Sequence, residues 1–298
     1  MENFSMRPFL ILFKRLLIAG LAAALLACSA ARIGYSNGET ISYWWLNSYV
    51  DFESEQKPWV KSHIDELFAW HRKTQLQQYV KLISRLQRAD YSAITKADLL
   101  ADYQEGRKSV NTIVDRAAPE LADLALSLTP EQIDNIDKKL DKNNDKFRKD
   151  YLRGSVQDRQ EFRYKRMMKQ AEYWFGNFSH EQEQRLRALS DARPLNNELV
   201  MADRLLRQQK MIELLKKIQA QKPSKEATEQ MIRQYIVAAM DHFGNQQYRT
   251  FFDQSDEANA ALVAEMLHMA TPEQRRHFIN TLQDWVSDFN RLMAKADS

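Results

Sequence analysis

Seven glycines in 298 residues, roughly 2% where about 7% is usual, leave this chain few ways to fold. Sheets with tight turns, dinucleotide-binding crossovers and phosphate loops all need glycine where the backbone takes positive φ or approaches a ligand closely. No Gly-rich nucleotide motif is present. The expectation is an all-α protein. Glycines 154, 176 and 244 and prolines 119, 130, 194, 223 and 272 fall between apolar-periodic segments, where helix stops and starts belong. Pro58 and Gly106 are exceptions, inside or near the first turn of expected helices. The punctuation predicts a short aromatic helix over 40–50 and a helical stretch over 54–90. Further helices are expected at 96–117, 119–127, 130–153, 156–175, 180–191, 195–221, 224–243, 247–269 and 272–295. A helix of some two dozen residues spans about 36 Å, which implies an elongated antiparallel multi-helix bundle, arranged as one body or two packed helical layers.

One start signal recurs. In "LTPEQI" Thr129 is placed as N-cap, Pro130 at the first helical position and Gln132 where it reaches back to complete a capping box. Leu128 and Ile133 flank it as a hydrophobic staple. Phe178, Ser179, Glu181 and Gln182 repeat the signal with His180 in place of proline. Thr271, Pro272, Glu273 and Gln274 repeat the cap without the staple. Behind these caps run amphipathic stripes: Ile133, Ile136, Leu140, Phe147 and Tyr151 with Asn144 interrupting, and Phe278, Leu282, Trp285, Phe289 and Leu292 in the last helix. Such stripes face a core.

The first 27 residues read as an export signal rather than fold: Arg7, Lys14 and Arg15 precede an apolar run from Leu16 to Ala27. Met6 is a second candidate start. That run alone is too short for a spanning helix, which needs about 20 apolar residues. "Leu25-Leu26-Ala27-Cys28" resembles the lipobox of bacterial lipoproteins, in which cleavage falls between the residues placed here as Ala27 and Cys28 and the cysteine is acylated. Ser29 after the cysteine resembles the outer-membrane address of that sorting rule. Cys28 is the sole cysteine, so an intrachain disulfide and zinc-thiolate or thiol chemistry are excluded. The expected organisation is a signal peptide over 1–27, a lipidated segment with a short aromatic helix over 28–53, and a helical periplasmic domain over 54–298.

Charge is nearly balanced, with 43 basic against 40 acidic side chains, which argues against a nucleic-acid binder. It is unevenly spread. From Lys138 to Lys169 twelve basic residues face five acidic ones, about +7. Phe147, Tyr151, Phe162 and Tyr164 are interleaved there, so Lys138, Lys146, Phe147, Arg148, Tyr151, Arg163, Tyr164 and Arg166 form the candidate binding surface. The plainer expectation is a solvated helix face. "DKNNDK" from Asp141 is no calcium loop, because Lys146 and Leu152 stand where glycine and a bidentate acid are required. His63 and His71 lie eight residues apart, over two helical turns, and would not chelate one ion; no HExxH, GxSxG or paired-carboxylate pattern accompanies them. His71, beside Trp70 and Arg72, is expected to be a hydrogen-bonded structural residue. Neither metal, cofactor nor catalysis is expected.

"YWWLNSYVDF", "WHRKTQLQQY", "LTPEQI" and "YWFGNFSHEQ", in that order, resemble a family of helical lipoproteins of Gram-negative bacteria whose domain has no assigned function. The resemblance implies fold and address and carries no activity. Gln77 stands where the family pattern has proline, so the break a proline would impose there is in question. "LTPEQ" also resembles the LTxxQ element of the Spy/CpxP-type periplasmic proteins, with Leu128, Thr129 and Gln132 matching in full. Two roles are expected: a lipid-anchored partner of an envelope protein or peptidoglycan, and, as the alternative, a tethered chaperone that binds unfolded polypeptide.

Overall fold

The computed structural model describes Tyr35 and residues 37–296; the signal segment, with Ala27 and Cys28, lies outside the described residues. Among the described residues the protein is helical throughout, with eleven α-helices. These are α1 (Gly38–Val50), α2 (Gln56–Thr74), α3 (Leu76–Gln87), α4 (Lys96–Ser127), α5 (Pro130–Phe147), α6 (Val156–Phe175), α7 (His180–Ala192), α8 (Asn197–Gln221), α9 (Lys225–Met240), α10 (Gln246–Met269) and α11 (Pro272–Ala296). A π-helical turn, Arg148–Leu152, follows α5, and a 3₁₀ turn, His242–Gly244, joins α9 to α10.

The apolar faces form two principal cores. One gathers the end of α3 with α6, α7, α10 and α11 around Trp174, Phe175, Leu186, Leu267, Phe278 and Leu282. The other gathers α1, α2, the end of α4, α5 and α8 around Tyr43, Phe52, Val60, Ile133 and Ile212. A smaller seam of Ala122, Ala125, Ile218 and Ile232 joins α4 to α8 and α9.

Two expected boundaries are corrected. Residues 96–127 are one helix of 32 residues with Pro119 inside it, not two helices parted at the proline. Proline deprives the carbonyl four residues back of its donor, and that carbonyl belongs to Asp115. Arg233 of α9 supplies the replacement, its guanidinium donating to the Asp115 carbonyl at 3.0 Å and also to the Asp115 carboxylate. Ala118 and Ala122, both fully buried, let α9 approach closely enough to do so. Conversely, the stretch expected over 54–90 is broken at Gln75, without any proline. The break turns Leu76, 1% exposed, into the core and brings Tyr79 back toward His71.

Asn144, which interrupts the α5 stripe, is buried and serves as a polar clasp to α8. It donates to Gln208 at 2.5 Å and accepts from Arg204 Nε at 3.1 Å.

Candidate functional site

The recurring start signal has a structural purpose larger than capping. Thr129, Ser179 and Thr271 are N-caps as expected, and each box glutamine accepts from its own cap amide at 2.9–3.1 Å. Two of these glutamines then face each other. Gln182 Nε2 donates to Gln274 Oε1 at 2.9 Å and Gln274 Nε2 returns the bond at 3.0 Å. Each also donates to the carbonyl two residues before its partner's cap: Gln182 to Met269, Gln274 to Asn177. A primary amide has two donor hydrogens and two acceptor lone pairs; all four are used on both sides.

Gln132 repeats this geometry with a partner that sequence reasoning missed. Gln132 Nε2 donates to Gln56 Oε1 at 2.7 Å and to the Asp51 carbonyl at 3.3 Å. Gln56 in turn accepts from the Glu53 amide at 3.0 Å and donates to Gln132 Oε1 and the Ser127 carbonyl. "Phe52-Glu53-Ser54-Glu55-Gln56" is thus a fourth copy of the signal, hidden because glutamate stands where Ser or Thr would advertise a cap. The shared Glu-Gln pair behind an apolar residue was its visible trace. The four copies form two corners, α1–α2 against α4–α5 and α6–α7 against α10–α11. Each lies beside one principal core, with Phe52 and Leu128 in one, Phe178 and Ala270 in the other.

The expected basic surface divides. Phe147 and Tyr151 are buried, 6% and 7% exposed, their rings stacked on each other at 4.7 Å in a cluster with Met201 of α8; they belong to a core, not a surface. Spaced four apart at the helix end, they point inward together as the turn widens into its π form. Arg163 is also withdrawn. Its guanidinium donates to the carbonyls of Ser190, Arg193 and Pro194 and ties down the end of α7. The Tyr164 hydroxyl donates to the Glu183 carbonyl while Arg187 covers its ring. Lys146 pairs with Asp150 at 2.6 Å and Arg148 with Asp145 at 2.7 Å.

Cations stay outward, with the exposed Asp141, Asp145 and Asp150 among them. Lys138, Arg148, Lys149, Arg153 and Arg166 are exposed, and Arg166 lies over the rings of Tyr151 and Phe162. An open depression of about 420 Å³ at the π turn is lined by Asp145, Arg148, Lys149, Leu152 and Arg153. Beside it in sequence, Val156 is 57% and Phe162 38% exposed, a rare outward display of large apolar side chains.

His71 sits where a structural histidine was expected. The Tyr35 hydroxyl meets its Nδ1 at 2.7 Å and the Tyr79 hydroxyl its Nε2 at 3.4 Å. Burial, with help from the Arg72 charge, lowers its pKa to about 4. His63 lies against Trp59, at 4.3 Å between ring centres, and 3.4 Å from Glu66; the two histidines do not meet.

A second polar knot was not foreseen. Asp203 of α8 is fully buried, receiving Arg207 Nε at 3.0 Å and lying 3.0 Å from His242 Nδ1. The ring of His242 stacks on Phe252 at 4.2 Å. His242 and Phe243 both take positive φ, 53° and 52°, a conformation that non-glycine residues seldom hold without fixed surroundings. Burial pushes the Arg207 guanidinium down to about 10. The knot closes the α9–α10 turn onto α8. Its members lie far apart in sequence, and only the Asp203–Arg207 spacing of four residues was readable. Among the described residues no group of three or more His, Cys, Asp or Glu is placed to hold a metal ion, and no helix is long and apolar enough to cross a membrane.

A family model described as a family of unknown function (DUF6279) matches residues 48–249. The chain belongs to that family. The matched region holds the first corner and the π turn, and only half of the second corner, since Gln274 lies beyond it. Neither the curated proteins nor the solved structures give a significant match.

Proposed function

We propose that this protein is a lipoprotein held at the periplasmic face of the outer membrane through Cys28, and that it works by binding an envelope component rather than by catalysis. The surface that does so is the cationic ridge at the π turn. One observation carries this reading. In the most basic stretch of the chain the aromatic residues Phe147 and Tyr151 turn inward, while Lys149 and Arg153 remain outward beside Leu152, and the exposed Val156 and Phe162 follow within ten residues of the chain. Lys149 and Arg153 make no ion pair among the described residues, and cations of that kind near exposed apolar side chains suit a partner that offers acidic and apolar groups together. Charge steers its approach and apolar burial holds it. The box glutamines are engaged with one another, which supports a structural role for the LTxxQ-like elements and leaves nothing of Gln132 or Gln274 for a client to touch.

The test is in-cell photocrosslinking of the lipidated protein, with photoreactive residues replacing Lys149 and Phe162, read by mass spectrometry of the adducts. One dominant adduct is expected. A broad set of unrelated exported chains would overturn that result in favour of a tethered chaperone. The absence of adducts would return the ridge to a solvated face.

A further inference from the structure

Helix α1 carries one formal charge in thirteen residues, Glu39, in a protein that is 28% charged. Glu39 is tied to Arg72 of α2. The exposed positions of α1 are Thr40, Trp44 and Ser48, a four-residue repeat that places them on one uncharged face. Trp44 is 59% exposed, while its neighbours Tyr43 and Trp45 pack into the core beneath. The exposed Lys61 of α2 holds its ammonium 4.7 Å from the ring of Tyr43, which itself meets the Trp44 ring edge-on at 5.6 Å. At the far end, Asp51, Glu53 and Glu55 are exposed and acidic.

The chain outside the structure decides what covers this face. From Cys28 to Asn37 is nine residues, at most about 30 Å even fully extended. With an acylated Cys28, the start of α1 cannot leave the neighbourhood of the bilayer. Tryptophan favours the headgroup region, where its ring is sheltered and its N–H stays wet. Lys61 complements anionic headgroups, and the acidic far end of α1 is repelled by them.

We infer that the Trp44 face of α1 rests on the phospholipid surface as a second membrane contact beyond the lipid anchor. This rests on the anchoring proposed above. It fixes the orientation of the tethered protein, which a lipid on one residue alone does not define.

The test uses the full chain, processed and reconstituted into phosphatidylethanolamine–phosphatidylglycerol vesicles with brominated acyl chains. Tryptophan emission of the wild type is compared with that of Trp44→Phe, and the mass of the N-terminal peptide is read in parallel. Bromolipid quenching of the wild type is expected, with most of it lost in Trp44→Phe. Equal quenching in both, or none in the wild type with Cys28 acylated, overturns the inference alone. Trp44 emission insensitive to lipid but shifting with protein concentration would overturn it in favour of a second copy of the chain. An unacylated Cys28 would remove the anchor and this inference together.

Discussion

Replacing Gln274 by alanine tests the paired corners directly. Gln274 is 5% exposed and makes four side-chain bonds. Its removal strips the box from α11, at about 1 kcal/mol for a cap. It also leaves Gln182 with half of its amide unpaired next to a core, at about 1–3 kcal/mol for each group left without partner or water. Thr271 and Asn177 are exposed, so water replaces their lost bonds. A loss of about 3 kcal/mol is expected, against less than about 0.5 kcal/mol for Glu273→Ala on the exposed side of the same turn. Urea unfolding followed by circular dichroism measures it, and amide exchange locates it. Protection falls in α7, α10 and α11 for Gln274→Ala, and in α1, α2 and α5 for Gln132→Ala. The Gln182→Ala/Gln274→Ala double variant should cost less than the sum of the singles, by about 1–2 kcal/mol. A Gln274→Ala protein within about 0.5 kcal/mol of wild type, or strict additivity with Gln182→Ala, would refute the pairing as a source of stability.

Other expectations follow from single groups. His71, with its pKa lowered to about 4 from 6.5 by burial, stays neutral in the fold while the unfolded chain takes up a proton. Its contribution is whole above pH 6.5 and lost as pH falls toward 4, by at most about 3 kcal/mol. Asp256, raised by burial to about 6, acts in the opposite sense over the same window. The measurement is therefore the difference in pH slope between wild type and His71→Gln, and identical slopes would exclude the effect. Asp203→Ala leaves Arg207 buried without its carboxylate and should destabilise by about 3–5 kcal/mol, visible in the urea midpoint. Arg233→Ala removes the side-chain donor to the Asp115 carbonyl, which is exposed so that water takes its place, and should cost about 0.5–1.5 kcal/mol; in a Pro119→Ala background, where the helical N–H returns, most of that cost should vanish.

Local signals carried most of the fold. Threonine and serine caps, proline at the first helical position and apolar stripes act within a turn or two of their own residues. They fixed α6, α7, α8, α9, α10 and α11 to within a few residues, and the start of α5, whose expected run to 153 ends in a π turn from Arg148 to Leu152. The signals failed where a distant side chain changes the outcome. Pro119 reads as a break until Arg233, more than a hundred residues on, satisfies the carbonyl it frees. Gln75 interrupts a helix because Leu76 is drawn into the core, not because of any breaker. The basic surface was half legible: net charge marks the segment, but Phe147 and Tyr151 alternate with lysines in a pattern that does not reveal which set faces α8. Asp203 and His242 could not be joined by spacing at all, since thirty-nine residues and a strained turn separate them.

The cationic ridge is tested most directly by charge reversal. Adduct formation in living cells, from a photoreactive residue replacing Phe162, is compared between the otherwise native chain and Lys149→Glu/Arg153→Glu. A single dominant adduct is expected, reduced about tenfold or more by the reversal, equivalent to some 1.4 kcal/mol of binding, with protein level and acylation unchanged. An adduct of undiminished yield in the reversed chain, or none in the native one, would contradict binding at the π turn.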